Sequence, residues 1–321
     1  MVDGPQRIGS YELLDQIGSG GMGEVWRCKH HMLRRQAALK VIRPETLGPT
    51  AGVDAATVLR RFAREAQATS ELKSPHTIEL YDFGITDDGA FYYVMELLEG
   101  RDLQKLVKKF GALPPERVVY LLEQVCESLA EAHHGGLIHR DIKPANIFLC
   151  KLGLRHDFAK VLDFGLVKTV RGEGGEQSLL TVDGVTPGSP AFMAPELIAG
   201  KDDEIDARAD LYSLGCVAYW LLVGELVFPR TTAIEFIVAH LQSAPEPMST
   251  RTDQRVPGEL ERLVLACLEK DPADRPADVR EVARALDAIA FDEPWGPAAA
   301  EAWWEEFRPV ERVADERRTP A

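Results

Sequence analysis

Apolar residues in this chain repeat with two different periods, and the change falls near Gly100. Before it, short alternating runs predict strands at Tyr11 to Ile17, Glu24 to Cys28, Ala37 to Ile42, Ile78 to Phe83 and Ala90 to Glu96. The turn Asp87-Asp88-Gly89 joins the last two. One helical stripe interrupts them: Val58, Phe62, Ala66 and Thr69 share a face of a helix expected to begin near Asp54, a good N-cap, and to run to Leu72. Residues 1–10 read as a loose lead-in. After Gly100 the spacing is helical. Proline in the first turn and Gly135-Gly136 at the end bound a helix from Pro115 to about His134, with Val118, Leu122, Val125 and Leu129 as its apolar face. Asp210 opens a run, Leu211 to Gly224, that is apolar all round and so predicts a buried helix; further helices are expected over 258–270 and 276–290. Ile147-Phe148-Leu149 and Val161-Leu162 break the helical rule and read as two strands of a hairpin. The expected class is α+β, with a small β-rich lobe over 11–99 and a larger, mostly helical lobe over 100–290.

Composition narrows this little. A chain of 321 residues, 45% hydrophobic, buries a large core. Its net charge of −14, from 37 basic and 51 acidic residues, disfavours nucleic acid or an anionic membrane as main partner. The same charge would suit basic substrates or simple solubility. The five cysteines, Cys28, Cys126, Cys150, Cys216 and Cys267, form no C-x-x-C pair; this fits a reducing cytosol, so a cytoplasmic placement is expected. Met1-Val2-Asp3-Gly4-Pro5 lacks the pattern of a signal peptide, and the run at Leu211 falls short of the about 20 residues that span a bilayer. Three of the five tryptophans, Trp295, Trp303 and Trp304, predict a short helix after residue 290 with an aromatic face, packed on the large lobe or docking a partner. From Arg308 onward the charged, proline-containing end reads as disordered.

The chemistry concentrates in Leu137-Ile138-His139-Arg140-Asp141-Ile142-Lys143-Pro144-Ala145-Asn146 and in Asp163-Phe164-Gly165. The hairpin would bring Asp141, Asn146 and Asp163 to one mouth, and converging hard oxygen donors suit Mg2+. Gly18-Ser19-Gly20-Gly21-Met22-Gly23 is weak by itself, since dinucleotide-binding folds share G-x-G-x-x-G. Here a strand-like segment follows the glycines, where those folds place a helix. Lys40 lies within an apolar strand. A surface lysine is the ordinary reading, but on a buried strand it needs an anion. Phosphates and Glu65, on the inward side of the predicted helix, are the partners expected, with Glu71 the competitor at the helix end.

The spacing H-R-D-x-x-x-x-N followed by D-F-G resembles the eukaryotic-type serine/threonine protein kinases, in wording closest to their bacterial members, over about residues 11–290. The resemblance implies a bilobal kinase fold using ATP and Mg2+, with Mn2+ as a substitute. It makes Asp141 the catalytic base, Lys143 the neighbouring positive charge, Asp163 and Asn146 the metal ligands, and Lys40, fixed by Glu65, the holder of the α- and β-phosphates. Nucleotide contacts fall to Ile17, the loop Gly18 to Gly23, Glu24, Val25, Ala38, the gatekeeper Met95, the backbone of Glu96 and Leu98, and Phe148. Asp210 would receive backbone amides of the catalytic loop, an N-cap role being equally compatible. Arg275 would pair with Glu196, and Ser189 would bond Asp141 and Lys143.

Two departures stand out. Residues Lys151 to Phe158 lengthen the hairpin and are expected on the surface. In the loop 166–194, bacterial relatives carry two threonines separated by one residue, where this chain has Thr181-Val182-Asp183. Thr181 is therefore the expected switch, Thr186 its rival, and Arg140 the cation for the phosphate. Implied partners are proteins with Ser/Thr acceptors and a second copy for trans-autophosphorylation. A silent binding module would lose Lys40, Asp141 or Asp163, and none is lost. A P-loop NTPase would need G-x-x-x-x-G-K-[ST] after a strand, which is missing. A small-molecule kinase fits poorly with Ala194-Pro195-Glu196.

Overall fold

The computed structural model describes residues 6–20, 23–42, 55–164, 190–200 and 205–316. The small lobe is a six-stranded antiparallel sheet: β1 (Arg7–Ile8), β2 (Tyr11–Gly20), β3 (Gly23–His30), β4 (Gln36–Ile42), β5 (Leu80–Ile85) and β6 (Phe91–Met95). Its order is β1-β2-β3-β4-β6-β5, so β6 inserts between β4 and β5. The expected lead-in is corrected at Arg7 and Ile8, which pair with Glu12 and Tyr11. The backbone bonds of this short strand carry no hydrophobic period, which hid it.

Alternation sorts the sheet's side chains onto two faces. Tyr11, Leu13, Cys28, Ala37, Leu39, Tyr92 and Val94 form one apolar cluster, and Ala38, Ile42, Phe91, Tyr93 and Met95 form the other with Ala66 of α1 (Ala55–Ser70). Ala66 and Thr69 of the predicted stripe are buried, whereas the side chains of Val58 and Phe62, like Asp54, lie outside the described residues. Gly23 has φ of 140°, and a Cβ there would come 1.8 Å from the Val41 carbonyl oxygen. Gly23→Ala should therefore cost more than about 1 kcal/mol in denaturant unfolding; an unchanged midpoint would show that this turn tolerates a side chain.

Gly100 starts β7 (Gly100–Asp102), which joins β8 (Ile147–Leu152) and β9 (Arg155–Val161) in a small sheet. A Cβ on Gly100 would meet the Leu149 carbonyl oxygen at 2.0 Å, so the strands can close only on glycine. Against this sheet pack α2 (Leu103–Phe110) and α3 (Pro115–His134), and α4 (Pro195–Ala199), α5 (Arg208–Val223), α6 (Ala233–Gln242), α7 (Gly258–Cys267) and α8 (Val279–Asp287) complete the large lobe. The apolar run at Leu211 is the middle of the large-lobe core, buried on every side. No helix among the described residues is long and apolar enough to cross a membrane.

Two findings in the rest of the chain bear on the expectations. Past Arg308, where disorder was expected, the described backbone is helical: α9 runs from Pro297 to Glu316. The hairpin from Lys151 to Phe158 is not wholly on the surface, since Asp157 and Phe158 are buried. A register shift between Cys150 and Leu152, and the left-handed φ of 50° at Asp157, turn that carboxylate inward. It accepts two bonds from Arg117 (2.8 and 2.9 Å) and one from each indole of Trp295 (3.1 Å) and Trp304 (2.7 Å). The Trp303 ring lies 3.9 Å from the Arg117 guanidinium carbon. Of the two fates for the aromatic helix, packing on the large lobe is the one observed.

Candidate active site

The loop after α3 is shaped by groups that no linear motif names together. Asp210 lies in the first turn of α5, which starts at Arg208, so it is not the N-cap. Its carboxylate accepts the backbone N–H groups of His139 and Arg140, both at 2.8 Å, and faces His133 Nε2 at 2.8 Å. His133 lies in the last turn of α3. Burial would raise the Asp210 carboxyl, but His133 and these amides hold it below the usual carboxylate range. His139 packs against the Phe164 ring at 4.7 Å; its Nε2 faces the Leu162 carbonyl at 2.8 Å and its Nδ1 faces the Asp141 amide at 3.2 Å. One nitrogen donating and one accepting is the neutral imidazole, in line with burial pulling this histidine's pKa down. Arg140 and Asp163 both take left-handed backbone angles (φ 61° and 56°), an uncommon pair for non-glycine residues within one site.

Asp141 Oδ2 accepts from Lys143 Nζ at 2.7 Å and from Asn146 Nδ2 at 3.0 Å, while Nδ2 also reaches the Asp141 carbonyl at 2.9 Å. With its amide nitrogen so committed, Asn146 has its side-chain oxygen left as a ligand. The Leu162 amide donates to the Asn146 carbonyl (2.8 Å), which sets Asn146 beside Asp163. Asp163 Oδ2 lies 2.5 Å from Lys40 Nζ, and its Oδ1 accepts from the Tyr93 hydroxyl. Burial pushes the Asp163 carboxyl up, but the Lys40 ammonium, the Tyr93 hydroxyl and Lys143 together hold the group below its ordinary range. Tyr93 is pushed well above the usual phenol value by burial and then by Asp163, so it remains a donor. Asn146 and Asp163 thus offer a neutral and an ionised oxygen donor, which fit a Mg2+ that completes its shell with phosphate and water.

Lys40 pairs with Asp163. Glu65, the partner expected for it, is half-buried on α1 just before Ala66. The left-handed backbone at Asp163 brings its carboxylate to Lys40, which strand and helix patterns could not reveal. Val25, Ala38, Met95 and Leu98 belong to one apolar cluster at the end of the sheet, and Phe148 is half-buried on β8. Gly18 pairs with Val25, Ser19 with Glu24 and Gly20 with Gly23, whereas Ile17 is exposed. The Glu96 amide bonds the Glu79 carbonyl (3.0 Å) and its carboxylate pairs with Lys160 (2.5 Å). Arg275 holds the Glu196 carboxylate through two bonds, 2.6 and 2.8 Å, and donates also to the carbonyls of Glu269, Lys270 and Arg208. Gly21, Met22, Thr181, Thr186 and Ser189 lie outside the described residues.

A model of the protein kinase domain matches residues 11–287, nearly all of both lobes. The chain belongs to the protein kinase domain family. Among its kinase relatives is the serine/threonine-protein kinase pkn3 of Myxococcus xanthus, 39% identical over 280 residues that cover 87% of this chain and 50% of pkn3. PknD of Mycobacterium tuberculosis, also a serine/threonine-protein kinase, is 35% identical over 289 residues, 89% of this chain and 41% of PknD. The chain thus spans half or less of these relatives' length. The crystal structure of Rad53 1-466 in complex with AMP-PNP matches the fold with a TM-score of 0.67 at 23% identity, covering 87% of this chain and 64% of that one. This kinase-family likeness leaves Tyr93 and His133 to be found from the geometry alone. Each bonds a motif residue from an element remote in sequence.

Proposed function

We propose that this chain is the catalytic domain of a serine/threonine protein kinase, which moves the γ-phosphoryl of ATP to Ser or Thr hydroxyls of protein substrates in bacterial signalling. The observation that carries the reading is the linked group Asp141, Lys143 and Asn146 beside the Asp163–Lys40 pair. The names of the relatives and the AMP-PNP bound to the Rad53 kinase fold support it.

In phosphoryl transfer the protein mainly positions groups and balances charge. Asp141 orients the acceptor hydroxyl and takes its proton late. Lys143 places positive charge where the transferred group gains negative charge, and Lys40 serves the α- and β-phosphates. Asp163 and Asn146 would hold Mg2+, which supplies charge neutralisation on the phosphates. The Glu96 carbonyl and Leu98 amide are assigned to the adenine. Thr181 is the proposed site of autophosphorylation and Arg140 the proposed receiver of its charge.

The test is incubation of the protein with labelled ATP and Mg2+ beside Asp141→Asn, followed by mapping of phosphosites. Label on Thr181, lost in the variant, is the expected result, with Thr181→Ala lowering activity more than Thr186→Ala. Failure to bind Mg-ATP would overturn the reading.

A further inference from the structure

Lys40 and Tyr93 are directly opposed in the β4–β6 pairing, so their side chains share the face of the sheet turned toward α1. Both are almost wholly buried, with exposures of 8% and 1%. Their polar ends meet on one carboxylate: Lys40 Nζ on Asp163 Oδ2 and the Tyr93 hydroxyl on Oδ1. We propose that Tyr93 is a positioning residue of the phosphoryl-transfer site, whose hydroxyl fixes the Asp163 carboxylate for a divalent cation.

This rests on the kinase reading of the site and adds to it a residue outside the motifs. A carboxylate has about four lone-pair directions. Two are taken by donors on adjacent strands of one sheet, which sets the rotation of the group and leaves the others for a cation. The need is real at this residue, because its left-handed backbone, φ 56°, is one that surrounding contacts must over-determine. A tyrosine hydroxyl buried in an apolar cluster with Ala38, Met95 and Ala66 also needs a partner, and Asp163 is the one it has. Outer contacts of this kind typically change metal affinity by about 10–100-fold when removed.

The experiment is a Mn2+ titration followed by electron paramagnetic resonance, with ADP present, on the full chain. Tyr93→Phe keeps the ring and removes the hydroxyl; Tyr92→Phe makes the same change on the opposite face of β6 as a control. Mn2+ binding is expected to weaken about tenfold or more in Tyr93→Phe and to stay unchanged in Tyr92→Phe. ADP affinity in excess EDTA should match wild type in both. Unchanged Mn2+ affinity in Tyr93→Phe, or equal weakening in both variants, overturns the positioning role while leaving the kinase reading intact. Failure of the wild type to bind Mn2+ with ADP would overturn that reading, and this inference with it.

Discussion

Asp141→Asn is expected to lower phosphoryl transfer by about 10²–10⁴-fold while nucleotide affinity stays within about twofold of wild type. The substitution is nearly isosteric, and the bonds that set the side chain can survive it. The carboxamide oxygen can take the place of Oδ2, which receives Lys143 Nζ and Asn146 Nδ2. The other position then becomes an NH2 group. It cannot accept the proton of an acceptor hydroxyl, and it presents a donor where an acceptor is needed. The loss should therefore fall on kcat rather than on binding. Steady-state kinetics with a generic protein acceptor, together with a nucleotide-binding titration, would measure both parts. A variant that keeps more than a tenth of wild-type turnover would remove Asp141 from the role of base.

Asp157→Ala should destabilise the large lobe by about 3–5 kcal/mol, read from urea unfolding followed by tryptophan fluorescence. Neither side chain of the Arg117–Asp157 pair has any exposure to water. Removing the carboxylate leaves a buried guanidinium without its counter-charge, and it orphans the indole N–H groups of Trp295 and Trp304. Because the pair is shielded, its contribution should change little with salt, unlike that of the exposed Arg27–Asp15 pair. The double change Arg117→Met with Asp157→Leu should be less damaging than Asp157→Ala alone, since it removes both charges together. A loss below about 1 kcal/mol for Asp157→Ala would mean that water reaches the site. The stake goes beyond stability: β9 also carries Lys160, whose ammonium holds Glu96 at the junction of the lobes.

The elements themselves were legible in the sequence because their signals are local. Alternation marked β2 to β6, proline and glycine bounded α3 from Pro115 to His134, and the apolar run at Leu211 marked the buried α5. Motif spacing singled out Asp141, Asn146 and Asp163, since those residues flank the two ends of the β8–β9 hairpin. Partnerships across the fold were not legible. Tyr93 faces Lys40 only because β6 pairs with β4 across an intervening helix and strand, a register that no hairpin turn sets. Lys40 meets Asp163 because one left-handed residue redirects the carboxylate. The same kind of backbone turn at Asp157, read alone, looked like part of a surface hairpin. A charge and its counter-charge need not be near in sequence. Period and spacing therefore determined which elements form and which residues bear the chemistry, while strand register and two left-handed aspartates decided what those residues touch.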